Sequence, residues 1–241
     1  MPSLLHLAFP RGITLALFLG ALATACAKDP VVHYDKPEDL QSPDKHYAIT
    51  VPVCTDAMLE SGLDGENSVV KRDTGKILSV IKQEEPAYNR TLNHHGTGEA
   101  SWSADSSLLL WTVDGKWFFD SLVLMKIDKE ENKVEWQLDL MKAGQQAILK
   151  RTKKAAPKRY AAAKEENKGN GSAYPEGFTV NVNAITKNDQ SLALPLTIHV
   201  ELTTDPRIDG ELEGNLSSHL DAIVTKDGVF TVTDFKLGKR P

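Results

Sequence analysis

A Ser-x-Asp pair set just ahead of a strand-like run occurs twice in this chain, and nothing else in it constrains the fold as strongly. In "SPDKHYAITVP" at residues 42–52 and "SWSADSSLLLWTVDGKW" at residues 101–117, Ser42 aligns with Ser103 and Asp44 with Asp105. Each pair leads into a strand and a variable loop, then into "NSVVKRDTGKILSVI" or "DSLVLMKIDKEENKVEWQL". In that second stretch Ser68 meets Ser121, Val70 meets Val123 and Asp73 meets Asp128. Such self-similarity points to a β unit built twice. It also assigns these serines and aspartates to turns that start strands rather than to a catalytic pair.

Periodicity agrees. "HYAITVPV" alternates Tyr47, Ile49, Val51 and Val53 on one face, the period of two of a half-buried strand. "NSVVKRDTGKILSVI" reads as strand, turn, strand, and "SSLLLWTV", "KWFFDSLVLMKI" and "KVEWQLDL" come next as further strands. The combined pattern resembles the TolB-type, WD-like β-propeller repeat. Ser42-Pro43-Asp44 and Asp73-Thr74-Gly75-Lys76 carry the resemblance, and Trp102-Ser103-Ala104-Asp105-Ser106 is a looser copy without the Pro and Gly. The resemblance covers residues 42–138. It implies that the first motif turns tightly into the inner part of a blade and that the second is a hairpin turn between later strands. It also implies a protein that presents surfaces rather than side-chain chemistry. A closed ring takes at least about four blades of about 40 residues each, and two are legible here.

Beyond the two units the β pattern stops. Residues 138–168 are rich in Ala, Leu, Lys, Gln and Glu, good helix formers, with Leu138, Met141, Gln145, Ile148, Thr152 and Ala155 as one stripe. Pro157 ends or kinks this helix near Ala156, and a second short helix can start there with Pro in its first turn. From residue 177 the strand pattern returns in "FTVNVNAI", "LALPLTIHVEL", "HLDAIVTKDG" and "VFTVTDFKL", with Asp227-Gly228 as a two-residue hairpin signal. The expected class is α+β, mainly antiparallel β. It has propeller-blade-like sheets at 46–138, a helical segment at 139–168 and a small antiparallel sheet of three to five strands at 175–241, without a closed propeller.

The N-terminus reads as an export signal. Arg11 is followed by the apolar run "ITLALFLGALATA", the length of a signal core and short of the roughly 20 residues of a spanning helix. Ala23-Thr24-Ala25 fits ordinary signal cleavage. The same residues followed by Cys26 resemble the bacterial lipobox, with Leu22 one position early, which implies lipidation of Cys26 and anchoring to a membrane. The remaining cysteine, Cys54, is then a lone thiol; without the lipid, a disulfide from Cys26 to Cys54 is open. Residues 1–25 are thus a signal peptide and residues 26–45, polar and proline-bearing, a tether. The expected location is the bacterial cell envelope, periplasmic or membrane-anchored.

Candidates for chemistry are few. A formal net charge of −5 argues against a nucleic-acid partner. No phosphate-cradling glycine loop, serine elbow or zinc spacing is present, so no cofactor or metal is expected. His94 and His95, with Glu99 nearby, are adjacent and would face opposite ways on a strand. His199 is a further option. The spacing of His219 and Asp221 puts both on one strand face, where the carboxylate could orient the imidazole. Trp102, Trp111, Trp117, Phe118 and Phe119 form an aromatic concentration that is either core or a stacking face for a sugar or peptide. Lys150, Arg151, Lys153, Lys154, Lys158 and Arg159 make a basic run that is either a solvated helix face or a second membrane signal.

Three functional readings result. The first is a non-enzymatic cell-envelope protein with a binding or structural role, its partner an envelope protein or polysaccharide. The second is a secreted hydrolase that uses His94, His95, Asp105, His219 and Asp221. The third is a membrane-surface module led by the basic helix, with Lys153 and Lys154 at its centre.

Overall fold

The computed structural model describes residues 34–53, 65–83, 97–114, 119–166, 175–185, 192–204 and 216–240. Among them are three four-stranded antiparallel sheets, each a meander in chain order, and two α-helices. The first sheet holds β1 (Tyr34–Asp35), β2 (Tyr47–Pro52), β3 (Ser68–Lys71) and β4 (Ile77–Val80). The second holds β5 (Thr97–Trp102), β6 (Leu108–Asp114), β7 (Phe119–Asp128) and β8 (Lys133–Asp139). After α1 (Leu140–Ala155) and α2 (Pro157–Glu166) comes the third, with β9 (Thr179–Ile185), β10 (Leu196–Thr203), β11 (Ser217–Val224) and β12 (Phe230–Leu237). The class is α+β with antiparallel sheets dominant, and the sheets do not close into a barrel.

The sheets stack in series, each using a different face for each neighbour. Tyr47, Ile49, Val51 and Val69 of the first sheet pack on Leu109, Trp111, Val113, Val123, Met125 and Ile127 of the second. The opposite face of the second sheet, Leu108, Leu110, Leu122 and Leu124, joins a core with α1 and the third sheet. Two buried faces explain why β6 and β7 read as the continuous apolar runs "LLLWTV" and "LVLM" rather than as an alternation. The alternation in β2 predicts a half-buried strand, yet all six of its residues are buried. β1 and β5 have no counterpart among the strands expected from sequence, because "TGEASW" lacks the β-branched run that marks a strand.

Register corrects the repeat alignment. Tyr47 opposes Lys71 and Leu108 opposes Lys126, while Ala48 opposes Val70 and Leu109 opposes Met125. Val70 therefore corresponds to Met125, and Ser68 to Val123, with Asp73 two residues past β3 and Asp128 the last residue of β7. The alignments of Ser68 with Ser121 and of Val70 with Val123 slip by two. A slip of two returns each side chain to its own face, so hydrophobic pattern alone does not detect it.

Asp139 caps α1, its Oδ1 accepting from Lys142 N at 2.9 Å. Ala156 leaves the helical region, at φ −138° and ψ 63°, ahead of Pro157, which opens α2. The buried stripe of α1 is Leu140, Gly144, Ile148 and Thr152; Ile148 and Thr152 belong to the expected stripe, whereas Leu140 and Gly144 take the places given there to Met141 and Gln145. At Gly144 a Cβ would stand 2.9 Å from Val182 Cγ2 and 3.1 Å from Val200 Cγ2, so the helix backbone lies almost on the third sheet. Thr152 Oγ1 donates to Ile148 O and lies 2.6 Å from Ser218 Oγ, tying the same helix face to β11.

In the third sheet β10 alternates cleanly, with Leu196, Ile198, Val200 and Leu202 buried against α1. The β11–β12 hairpin falls at Asp227-Gly228 as expected, but its loop is the three-residue kind. Thr225 N donates to Val229 O, and Gly228 takes φ +74°.

Candidate functional site

Both Ser-x-Asp pairs adopt one hydrogen-bonded turn, repeated bond for bond. Ser42 Oγ donates to Asp44 Oδ1 at 2.7 Å, and Ser103 Oγ to Asp105 Oδ1 at 2.6 Å. The same hydroxyls accept from the backbone five residues on, Tyr47 N at 3.0 Å and Leu108 N at 2.8 Å. Asp44 Oδ1 takes His46 N, and Asp105 Oδ1 takes Ser107 N, each at 3.0 Å. Lys45 and Ser106, at the matching turn position, both have φ +61°. Each serine thus replaces a strand hydrogen bond that the turn removes, which occupies its hydroxyl fully. Ser42→Ala and Ser103→Ala are each expected to cost about 1–3 kcal/mol, because a buried N–H loses its acceptor. Chemical denaturation measures both, and a cost confined to one site would show that the turns are not equivalent in solution.

The two turns also touch. Asp44 N donates to Ser106 Oγ at 3.2 Å, and Lys129 Nζ bridges Asp44 Oδ2 at 2.8 Å and Asp105 O at 2.9 Å. Burial pushes the Asp44 carboxyl up, but Lys129, His46 N and Ser42 outweigh it and hold the carboxyl well below its ordinary value. A carboxyl depressed in the folded state contributes stability above its unfolded value and loses it as the pH falls through the folded one. Between about pH 4 and pH 2 the native protein should therefore lose more stability than Asp44→Asn. Equal slopes in denaturation series across that range would mean the clamp is absent in solution.

A second polar cluster lies on the outer face of the third sheet. Cross-strand pairing brings Asn183, His199, Asp221 and Asp234 into one row, and Asn181, Glu201, His219 and Lys236 into the next. His199 Nδ1 is 2.6 Å from Asp221 Oδ1, to which Arg240 also donates at 2.7 Å. Arg240 Nε is 3.3 Å from Glu201 Oε1, close enough to pair in charge without an aligned hydrogen bond. Burial pushes the Asp221 carboxyl up, but Arg240 and His199 outweigh that and hold it below its ordinary value. His219 instead sets Nδ1 against Gly238 O at 3.1 Å. Asp221 does orient an imidazole, but the imidazole is that of His199 on the next strand, not His219 two residues away.

The chain matches no protein-family model, no curated protein and no solved structure. Its chemistry has to be read from its own geometry.

The other sequence candidates divide plainly. His94, His95, Trp117, Cys26 and Cys54 lie outside the described residues. Trp111 is no binding face: it is fully buried between the first two sheets, and its indole N–H donates to Gln83 Oε1 at 2.6 Å. Asp105 holds its turn and also lines a cleft. Lys153 and Lys154 are exposed at the end of α1. Among the described residues no group of His, Cys, Asp and Glu is placed to hold a metal ion, and no helix is long and apolar enough to cross a membrane. His199 is visible in sequence as a polar position in an alternating strand, but its partnership with Asp221 depends on strand register.

Proposed function

We propose that this is a non-enzymatic cell-envelope protein with a binding or structural role. In this reading it is exported through residues 1–25, anchored by a lipid on Cys26, and presents the outer face of its third sheet to an envelope protein or polysaccharide. The polar outer face carries the reading. The inner face of that sheet is occupied by α1 and the core, which leaves two ordered rows of amide, imidazole, carboxylate and ammonium groups on the other side. Arg240 cross-links the rows through Asp221 in one and Glu201 in the other, so these groups are held in place before a partner arrives. The Ser-x-Asp pairs support the same reading, since both serine hydroxyls are engaged in turns and neither is a free nucleophile. The resemblance to TolB-type repeats supports a surface-presenting role, and the acidic balance argues against nucleic acid.

Intact mass of the protein from membranes, with an acyl-glyceryl increment on Cys26, tests the anchor. A photo-crosslinking residue at position 183 tests the face: it should give a discrete adduct in cells, while one at position 76, on the first sheet's β3–β4 turn, should not. The hydrolase alternative now rests on His199 oriented by Asp221. Substrate turnover abolished by Asp221→Asn in a folded protein would replace the binding reading with that one.

A further inference from the structure

Beside the second Ser-x-Asp turn lies a cleft of about 390 Å³ that shares no residue with the His199 cluster. Its origin lies in the stacking. The turn between the third and fourth strands of the second sheet supplies Lys129, which clamps Asp44 in the turn of the first sheet. The corresponding turn of the third sheet, between β11 and β12, supplies Lys226, and it faces the turn that contains Asp105. α1 packs between the second and third sheets, touching β7 and β8 on one side and β9 to β12 on the other. Asp105 and Lys226 both line the cleft and form no ion pair, where Asp44 and Lys129 meet at 2.8 Å.

Gly228 seats the β11–β12 turn directly on the Trp136 ring, where a Cβ would come within 2.7 Å of Cδ2, so Lys226 is held beside the second sheet. Lys126, also at the cleft, is paired with Glu135 at 2.8 Å, whereas Lys226 is exposed and has no ion pair among the described residues. Asp105 Oδ1 already accepts from Ser103 Oγ and Ser107 N, whereas Oδ2 faces only the Ser107 hydroxyl among the described residues, so its second lone pair can take a further donor. Leu108, Leu192 and Leu194 add apolar lining to the same cleft.

We propose that this cleft binds an aliphatic zwitterion, an amino acid or short peptide whose ammonium pairs with Asp105 and whose carboxylate pairs with Lys226. The ammonium repeats what Lys129 does at Asp44. The aliphatic body covers the leucines, and the carboxylate neutralises the free lysine.

Isothermal titration of the protein as purified, with L-leucine and with the dipeptide Leu-Leu, distinguishes a free amino acid from a peptide. At least one should bind saturably. N-acetyl-leucine, which lacks the ammonium, and leucinamide, which lacks the carboxylate, should each bind about tenfold or more weakly, since each leaves one charged group unpaired. Lys226→Met should bind leucine and leucinamide alike, and Asp105→Asn should bind leucine and N-acetyl-leucine alike. If Asp105→Asn does not fold, the exposed Lys226 position decides alone. Absence of saturable heat with both zwitterions overturns the proposal. So does equal binding of zwitterion and single-charge analogues by the native protein, or unchanged selectivity in Lys226→Met.

Discussion

Trp111→Ala is expected to lower the stability of the protein by about 3–5 kcal/mol, the cost of removing a large aromatic side chain from a closed core. Trp111 has no exposed surface and sits among Ile49, Val69, Leu109, Val123 and Met125, where the first two sheets meet. Its loss opens a cavity on both sides of that interface and also leaves Gln83 Oε1 without its donor. Against a typical total of about 5–15 kcal/mol, this single change brings the fold near its limit. Trp111→Phe keeps most of the volume and loses mainly the hydrogen bond, so it should cost clearly less. Urea denaturation followed by circular dichroism measures both, and a cost below about 1 kcal/mol for the alanine variant would contradict the packing described.

The second large effect belongs to Gly144→Val. Three methyl carbons of Val182 and Val200 lie within 3.2 Å of where its Cβ would be, and they belong to core residues rather than to flexible tips. Either α1 lifts from the third sheet or the valines leave their rotamers, at a cost of about 3 kcal/mol. Valine gains little helix propensity over glycine to offset this. The change should also loosen the tie between Thr152 and Ser218, because both lie on the same helix face. Amide exchange in β10 and β11 should accelerate together with the loss of stability. Exchange at native rates, with an unchanged urea midpoint, would show that the helix stands farther from the sheet.

Much of the fold is legible in the sequence because its signals are local. Turn residues, alternation in β10 and the break at Pro157 each depend on neighbours a few positions away. The Ser-x-Asp turns are readable for the same reason, since every bond in them spans five residues or fewer. The stripe of α1 is legible only in its second half, at Ile148 and Thr152, because periodicity weighs large apolar residues, while Gly144, packed on Val182 and Val200, scores as nothing. Trp111 escapes placement too, since an aromatic residue in a strand suits a core and a binding face equally. The candidate site is legible only in part. His219 and Asp221 do share a face, but the partner of Asp221 is set by a strand more than twenty positions earlier in the chain.

A β unit used twice, a helical interruption and a third antiparallel unit can be read from residue order alone, as can the role of Ser42, Asp44, Ser103 and Asp105 as turn residues. Which faces meet, the place of α1 between the second and third sheets, and the contrast between Asp44 clamped by Lys129 and Asp105 lining a cleft emerge from packing. The physical reason is range. Turn chemistry and strand period are properties of a few consecutive residues, whereas sheet stacking and cross-strand register depend on how closely distant backbones can approach, and a glycine at 144 sets that as firmly as any large side chain.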